Sequence, residues 1–229
     1  MQGHTWNLSG NTEYGLRVDM AEVIVDGLLL DGNGFAGAFI EDGRSVELSN
    51  LTASNNGQSG ILPGQQAGLH YLRSNDVESN SGDVRCLHCD VRGNAGHALF
   101  IEDSVDLWIE DLLVEDVAPA TVPISVDNSN LNFGQLGGRF RFMNVTVWAN
   151  ATDVSGAALP AVDVQSADGA FEGMDLHGVH AGVVWNADVP GQRVSYLHDA
   201  TLDNAGCLDL SDQKLLRIYR LDITGCTGA

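Results

Sequence analysis

The chain has 229 residues, of which 44% are hydrophobic, so it can bury the core of one domain. Thirty-one acidic residues oppose eleven basic ones, a formal charge of −20, and Lys214 is the only lysine. Such a surface repels nucleic-acid backbones, and no apolar run approaches the roughly 20 residues of a membrane span, so we expect neither a nucleic-acid partner nor a membrane span.

The acidity has two interpretations. Dense carboxylates stay hydrated in high salt, where counter-ions screen their repulsion, so the composition is typical of salt adaptation. Carboxylates are also the hard oxygen ligands that Ca²⁺ prefers, and Ca²⁺ is the one cofactor that the composition brings into question. The sequence leaves both interpretations open.

Short strands recur from the N-terminal region onwards. The tetrapeptide Phe-Ile-Glu-Asp occurs at 39–42 and again at 100–103. Weaker copies of the phrase, in which polar and apolar residues alternate, occur at 17–19, 125–127, 163–165 and 209–211. Glycines lie a few positions upstream, and several are spaced by 22 to 24 residues: Gly15, Gly37 and Gly60, and later Gly182 and Gly206. A period of this size with strand-like content predicts a solenoid.

Residues 37–60 contain the clearest unit. Apolar residues alternate with polar ones around Ile40, Val46 and Leu48, and turns rich in Asn and Gly separate the apolar sets. A spacing of two predicts three short strands per unit, each pairing with its counterpart in the next unit. The spacing fails at 128–138 and 153–160, which we expect to be insertions.

We therefore expect a single domain over residues 1–229, a parallel β-helix of about eight to nine rungs. Neither end carries the amphipathic cap that such a fold needs to protect its sheet edges, which is also compatible with a segment of a longer protein.

The repeating phrase resembles that of a known superfamily. Residues 46–52 (Val-Glu-Leu-Ser-Asn-Leu-Thr) and 202–206 (Leu-Asp-Asn-Ala-Gly) are similar to the repeats of pectin-lyase-like proteins. The resemblance covers nearly the whole chain and implies an all-β fold, a right-handed single-stranded parallel β-helix. That superfamily includes polysaccharide lyases and hydrolases, adhesins and phage tailspikes, so the fold alone does not settle the function.

Outward positions of the repeated strand supply candidate catalytic residues. We expect one acidic ladder to contain Asp19, Glu41, Arg85, Glu102 and Asp127, followed by Asp163 or Gln165. The resemblance implies that a lyase would use an Arg base beside carboxylates that hold Ca²⁺. Arg85, Glu41, Glu102 and Asp127 are then the catalytic candidates, and Asp19, Glu41, Glu102 and Asp127 the calcium ligands. Hydrolysis needs two carboxylates about 5 to 10 Å apart, which almost any ladder supplies, so we favour a protein that is not an enzyme.

Strand alternation predicts that Phe39, Phe100 and Trp185 point outward, because their neighbours are expected to lie in the core. Three interpretations are open for these aromatic rings: cover by a loop, an interface with a partner, and stacking on sugar rings. His177 and His180 lie at a predicted turn, where we expect surface histidines paired with Asp175 or Asp199.

The four cysteines form two pairs. Cys207 and Cys226 are 19 residues apart, close to one rung, and we expect a disulfide that staples the C-terminal region. For Cys86 and Cys89 the choice lies between a local disulfide and two buried thiols, with a zinc site less favoured. A disulfide would indicate an oxidising, extracytoplasmic location.

Four glycosylation sequons agree with such a location: Asn7, Asn50, Asn144 and Asn150. No secretory signal is visible in the first residues. The sequence thus predicts an extracellular or cell-surface module with a structural, adhesive or glycan-binding role. Its partners would be glycans or neighbouring copies, which would contact the solenoid ends or the aromatic face. A calcium-assisted polysaccharide lyase or glycoside hydrolase is the alternative.

Overall fold

A computed structural model describes residues 6–20, 22–43, 45–73, 84–104, 107–128, 138–180, 182–186, 194–203, 207–211, 213 and 215–225. Within these residues the chain forms two parallel sheets. In the described part of the chain, sheet A has nine strands: β1 (Trp6–Asn7), β3 (Glu22–Asp31), β5 (Ser45–Ser54), β7 (Val84–Arg92), β9 (Leu107–Glu115), β11 (Gly138–Trp148), β13 (Ala167–His177), β15 (Ser195–Asp203) and β17 (Leu216–Thr224).

Sheet B has eight shorter strands among the described residues: β2 (Leu16–Asp19), β4 (Ala38–Glu41), β6 (Leu69–Leu72), β8 (Leu99–Glu102), β10 (Ile124–Asp127), β12 (Val162–Gln165), β14 (Gly182–Asn186) and β16 (Cys207–Asp209). One 3₁₀ turn, Pro63–Gln66, is the only helical element in the described part of the chain. In that part no helix has the length and apolar character needed to cross a membrane.

The chain alternates between the two sheets. Each strand of sheet B is followed by a strand of sheet A, and each strand pairs in parallel with the equivalent strand before and after it. Val18, Ile40, Tyr71 and Ile101 are consecutive partners in sheet B. The all-β prediction is confirmed, and the two parallel sheets of many strands are consistent with a parallel β-helix-like solenoid.

The core lies between the sheets and takes alternate side chains from most of the described strands. In β4 the side chain of Ile40 is fully buried, and in β5 those of Val46 and Leu48 are fully buried. Large aromatic side chains fill the C-terminal half, where Phe140, Phe142, Phe171 and Trp185 pack with ring centres 5.0 to 5.5 Å apart. Since equivalent positions stack strand upon strand, the core is continuous along the solenoid.

Every long strand of sheet A bends near its middle. The bend lies at one residue with a positive φ, and these residues occupy equivalent positions between the paired halves of the strands: Gly27, Asn50, His88, Asp111, Asn144, Gly173, Asp199 and Arg220. A left-handed residue reverses the inward–outward alternation at one point, so both halves of each strand keep apolar side chains in the core. Two half-strands and one sheet-B strand give the three segments per unit that the sequence predicts.

Four asparagines, of which Asn33, Asn56 and Asn94 are buried, connect four successive turns where sheet A leads to sheet B. The amide nitrogen of Asn11 donates to Oδ1 of Asn33 (2.9 Å), and that of Asn33 donates to Oδ1 of Asn56 (2.8 Å). Asn56 in turn donates to Oδ1 of Asn94 (3.0 Å), and Asn94 donates to the carbonyl of Ala53 (3.1 Å). This amide ladder satisfies buried polar groups that would otherwise be costly.

The two expected insertions have different outcomes. Residues 149–161 connect β11 to β12, and within them Thr152 and Ala158 form an antiparallel bridge around a turn that Asp153 caps. The expected insertion at 128–138 falls, apart from its first and last residues, outside the described residues.

Candidate functional site

The acidic ladder predicted from the sequence exists in part. Asp19 is the register partner of Glu41, and Glu102 is the partner of Asp127, which precedes Gln165. Leu72 lies between Glu41 and Glu102, in the position expected for Arg85. The expectation for Arg85 was wrong because β6 and β7 belong to the same unit, so Arg85 lies on sheet A.

Arg85 is therefore not brought together with the carboxylates of sheet B. Its guanidinium carbon lies 4.9 Å from the ring centre of Trp108, and that of Arg141 lies 5.1 Å from the same ring. The three residues are consecutive partners on the outer face of sheet A. Arg85 thus takes part in a cation–π stack and does not adjoin Glu41, Glu102 or Asp127.

Glu41 and Glu102, two sheet-B carboxylates proposed as catalytic, have basic partners. Glu41 accepts from Arg73 at 2.6 Å and from Arg17 at 3.4 Å, and Glu102 lies 2.7 Å from Nε2 of His70. In the described part of the chain, no three or more His, Cys, Asp or Glu side chains form a group that could hold a metal ion. The four proposed calcium ligands thus form two separate pairs, Asp19 with Glu41 and Glu102 with Asp127.

The outward aromatic rings of sheet B are stacked and covered. Phe39 is buried beneath Tyr14, whose ring stacks on it with centres 5.0 Å apart. Beyond it His70 packs against Phe39 and Phe100, and His97 stacks on Phe100 at 4.7 Å. The 3₁₀ turn lies so close above His70 that a Cβ on Gly64 would collide with the imidazole ring. Phe39 is therefore covered by the connecting segments, and Phe100 is partly covered.

Two titratable groups on this face are perturbed. Burial raises the pKa of Asp163, and the nearby Asp127 carboxylate raises it further, while the amide of Gln165 donates to Asp163 at 2.5 Å and lowers it. Burial lowers the pKa of His97, whose Nδ1 donates to the carbonyl of Val122 at 2.7 Å. Neither shift in pKa is predictable from the sequence, because both depend on the covering connections.

The outward orientation expected for Trp185 was wrong. Its side chain is fully buried, and its indole nitrogen donates to the carbonyl of Ala167 at 2.9 Å. The orientation was predicted wrongly because three apolar residues follow one another at Val183, Val184 and Trp185. The register partners place Val183 and Trp185 inward and Val184 outward.

The structure describes one of the two cysteine pairs and all four sequon asparagines. Cys86 and Cys89 lie at disulfide distance across the bend of β7, with their Cα atoms 6.2 Å apart. The expected pair of Cys207 and Cys226 lies outside the described residues, since Cys226 is not among them. All four sequon asparagines are exposed: Asn7, Asn50, Asn144 and Asn150. The amides of Asn50 and Asn144 donate to Asp26 and Asp111.

An open cleft lies at the ends of β11 and β13, on the outer side of sheet A. Trp148 and His177 are register partners at these ends, and each follows a buried residue, Val147 and Leu176. Alternation therefore turns both rings outward, where they stack with centres 3.9 Å apart and planes 14° apart. Trp148 remains 52% exposed, so part of its ring is open to solvent.

The cleft has a volume of about 300 Å³, and it is lined by Asp116, Val117, Trp148, Ala149, Asn150, His177 and Gly178. Gly178 makes the close approach of the two connections possible: its φ is +104°, and a Cβ there would collide with the carbonyl oxygen of Ala149. Asn150 accepts a hydrogen bond from the amide of Val179 (2.9 Å), which joins the same two connections.

Carboxylates surround the two rings. Nε2 of His177 lies 3.0 Å from Asp175, and its Nδ1 lies 3.9 Å from Asp203. On the opposite side, Glu115 is the register partner of Trp148 and is followed by Asp116. The site thus combines an aromatic platform with hydrogen-bond acceptors, a combination that suits the apolar face and hydroxyl groups of a sugar.

Sequence reasoning missed Trp148 because an insertion was expected to follow closely. The alternation Val-Thr-Val-Trp at 145–148, in phase with Met-Asp-Leu-His at 174–177, was the signal that could have paired the two rings. Searches against family models, curated proteins and solved structures find nothing that matches the chain.

Proposed function

We propose that this protein is a right-handed parallel β-helix module that binds a glycan in the cleft around Trp148, outside the cytoplasm. The observation that carries the proposal is the half-exposed Trp148 ring, stacked on His177 in an open cleft of about 300 Å³. Held rigidly at a strand end, such a ring provides a platform for a sugar ring at little cost in conformational entropy.

The polar groups around the platform support the same function. Hydroxyl groups of a sugar need acceptors and donors at fixed positions, and Asn150, Asp116 and His177 line the cleft. Each belongs to a connection or strand end that the parallel register fixes, so the site is largely formed before a ligand arrives.

General rules support the remaining features of the proposal. Parallel strands joined by a crossover are right-handed in nearly all proteins, which favours the right-handed solenoid of the pectin-lyase-like repeats, with about eight to nine rungs. The pairing distance between Cys86 and Cys89 favours an oxidising compartment, where disulfides persist.

Replacement of Trp148 tests the proposal. In a glycan-array screen followed by calorimetry with the best oligosaccharide, we expect the Trp148→Ala variant to lose about 2 kcal/mol of binding free energy. Trp6→Ala is the matched control, because Trp6 is 63% exposed but lies on β1, away from the cleft. Equal binding by the wild type and Trp148→Ala would exclude the cleft as the glycan site.

A glycoside hydrolase is a second candidate, favoured by Asp163 and Asp127. Burial and the neighbouring Asp127 raise the pKa of Asp163, and a carboxyl group with a raised pKa beside a second carboxyl group is the arrangement of a general acid and its partner. For this candidate we expect the wild type to release reducing ends from a polysaccharide. The Asp163→Asn variant should release none. If no product forms from polysaccharides, with or without Ca²⁺, the hydrolase candidate is excluded and glycan binding remains as the proposed function.

A further inference from the structure

We propose that the cleft selects glycans that carry free amino groups, such as oligomers of glucosamine. This inference rests on the proposed glycan-binding function and names the class of its ligand. It follows from where the charges lie relative to the free face of Trp148.

Only one face of the Trp148 ring is available to a ligand. Strand β11 lies between β13 and β9, and His177 of β13 covers the face of Trp148 on its own side at a centre distance of 3.9 Å. The other face therefore looks toward β9, whose last residue, Glu115, is the register partner of Trp148. A sugar ring stacked on that face lies beside Glu115 and Asp116.

The charges around this position are predominantly negative. Asp116 lines the cleft, while Glu115 has the guanidinium of Arg92 3.8 Å away. Beyond the platform, Asp175 and Asp203 lie on either side of His177. Among the described residues, four carboxylates thus lie near one arginine and one histidine, so the local charge is negative whatever the charge of His177.

This charge pattern discriminates among sugars. Uronates and sulfated sugars would bring an anion against Glu115 and Asp116, which costs free energy in a partly enclosed site. An ammonium group on the stacked ring would instead form charge-assisted hydrogen bonds with these carboxylates and would also be attracted by the indole ring. The formal charge of −20 increases the local concentration of such a ligand.

The test compares three hexasaccharides by calorimetry: β-1,4-linked glucosamine, its N-acetylated form and the corresponding glucose oligomer. N-acetylation removes the charge and keeps the backbone, so we expect the amine form to bind at least about tenfold more tightly. Its affinity should fall as NaCl is raised, whereas that of the neutral forms should stay constant.

Asp116→Asn identifies the responsible carboxylate. Asp116 has a φ of +51°, which asparagine tolerates, so the backbone is expected to persist. We expect about fivefold weaker binding of the amine form and unchanged binding of the N-acetylated form. Asp19→Asn, an exposed aspartate on sheet B, is the matched control.

The outcomes separate the two proposals. Equal affinity for the amine and neutral forms overturns the amine selectivity and leaves glycan binding intact. Failure of all three hexasaccharides and of the array screen overturns both. If Trp148→Ala and Asp116→Asn bind the amine form as tightly as the wild type, the attraction is diffuse electrostatics and the selectivity is not a property of the cleft.

Discussion

Asn56 is the residue on which the N-terminal turns converge. Its side chain is fully buried, its Oδ1 accepts from the backbone and side-chain nitrogens of Asn33, and its Nδ2 donates to Leu30 and Asn94. Each hydrogen-bonding group of the amide is thus used. An alanine at this position would leave several buried polar groups without partners.

We expect Asn56→Ala to lower the free energy of unfolding by about 4 kcal/mol, because unsatisfied buried groups cost about 1 to 3 kcal/mol each. Asn11→Ala should cost markedly less, since Asn11 lies at the exposed end of the ladder. Urea denaturation of the two variants measures the difference. Equal losses of unfolding free energy in the two variants would mean that water replaces the hydrogen bonds of the amide ladder at both positions.

His97 is a second residue whose role depends on burial. Burial lowers the pKa of its ring, so His97 is protonated at a lower pH in the folded chain than in the unfolded chain, where a histidine is protonated near pH 6.5. Stability is therefore full above the ordinary histidine pKa and is lost as the pH falls through it towards the folded value.

Melting temperature against pH tests this role. Between about pH 7.5 and 5.5, the wild type should lose more thermal stability than His97→Phe, which keeps the stacking ring and removes the titration. Parallel curves for the two proteins would show that His97 does not contribute to the pH dependence.

At the scale of elements, the bent strands of sheet A are the defining structure. One left-handed residue per strand turns the second half toward the next side of the solenoid, and glycine, asparagine or aspartate occupies six of the eight bend positions. These residue types tolerate a positive φ at low cost, so the bend is encoded locally in each strand.

Gly173 tests the bend. Its φ is +73°, and we expect Gly173→Val to destabilise the fold by about 2 kcal/mol because a β-branched residue is strained there. Gly173→Asn is the matched control and should cost clearly less, since asparagine already occupies the neighbouring bend position at Asn144. Thermal denaturation followed by circular dichroism compares the two, and similar losses would contradict a conformational cause.

At the scale of the whole molecule, the charge of −20 sets the dependence on solvent. Carboxylates crowd both sheets, and self-repulsion opposes the compact state at low ionic strength. The described carboxylates of the proposed calcium ladder form pairs, and two of them, Glu41 and Glu102, have basic partners. This arrangement favours general screening over a dedicated cation.

We expect the melting temperature to rise steadily with NaCl up to about 1 M, because counter-ions screen the repulsion. KCl should have the same effect, and millimolar CaCl₂ at constant ionic strength should add nothing. A saturable increase with CaCl₂ would instead reveal a dedicated calcium site.

How far the sequence predicts the structure depends on the scale. Repetition of Phe-Ile-Glu-Asp and a glycine period of 22 to 24 residues suffice for the parallel sheets, because the same pattern must satisfy every neighbour. The sequence does not predict which side chains face outward where a strand has consecutive apolar residues, as at Val183–Trp185, because no polar residue there marks the outward positions. The cleft at Trp148 depends on two strand ends 29 residues apart in sequence, which no local pattern connects.

The amide ladder also makes chain length adjustable in whole steps. Asn33 and Asn56 are 23 residues apart and occupy the same position in consecutive turns. Removal of residues 34–56 would join Asn33 to Gly57, so that Asn33 takes the place of Asn56 against Asn94 and β2 meets β6. Because each turn contacts only its neighbours, the protein is built from exchangeable modules, and its evolution can proceed by adding or deleting one complete turn.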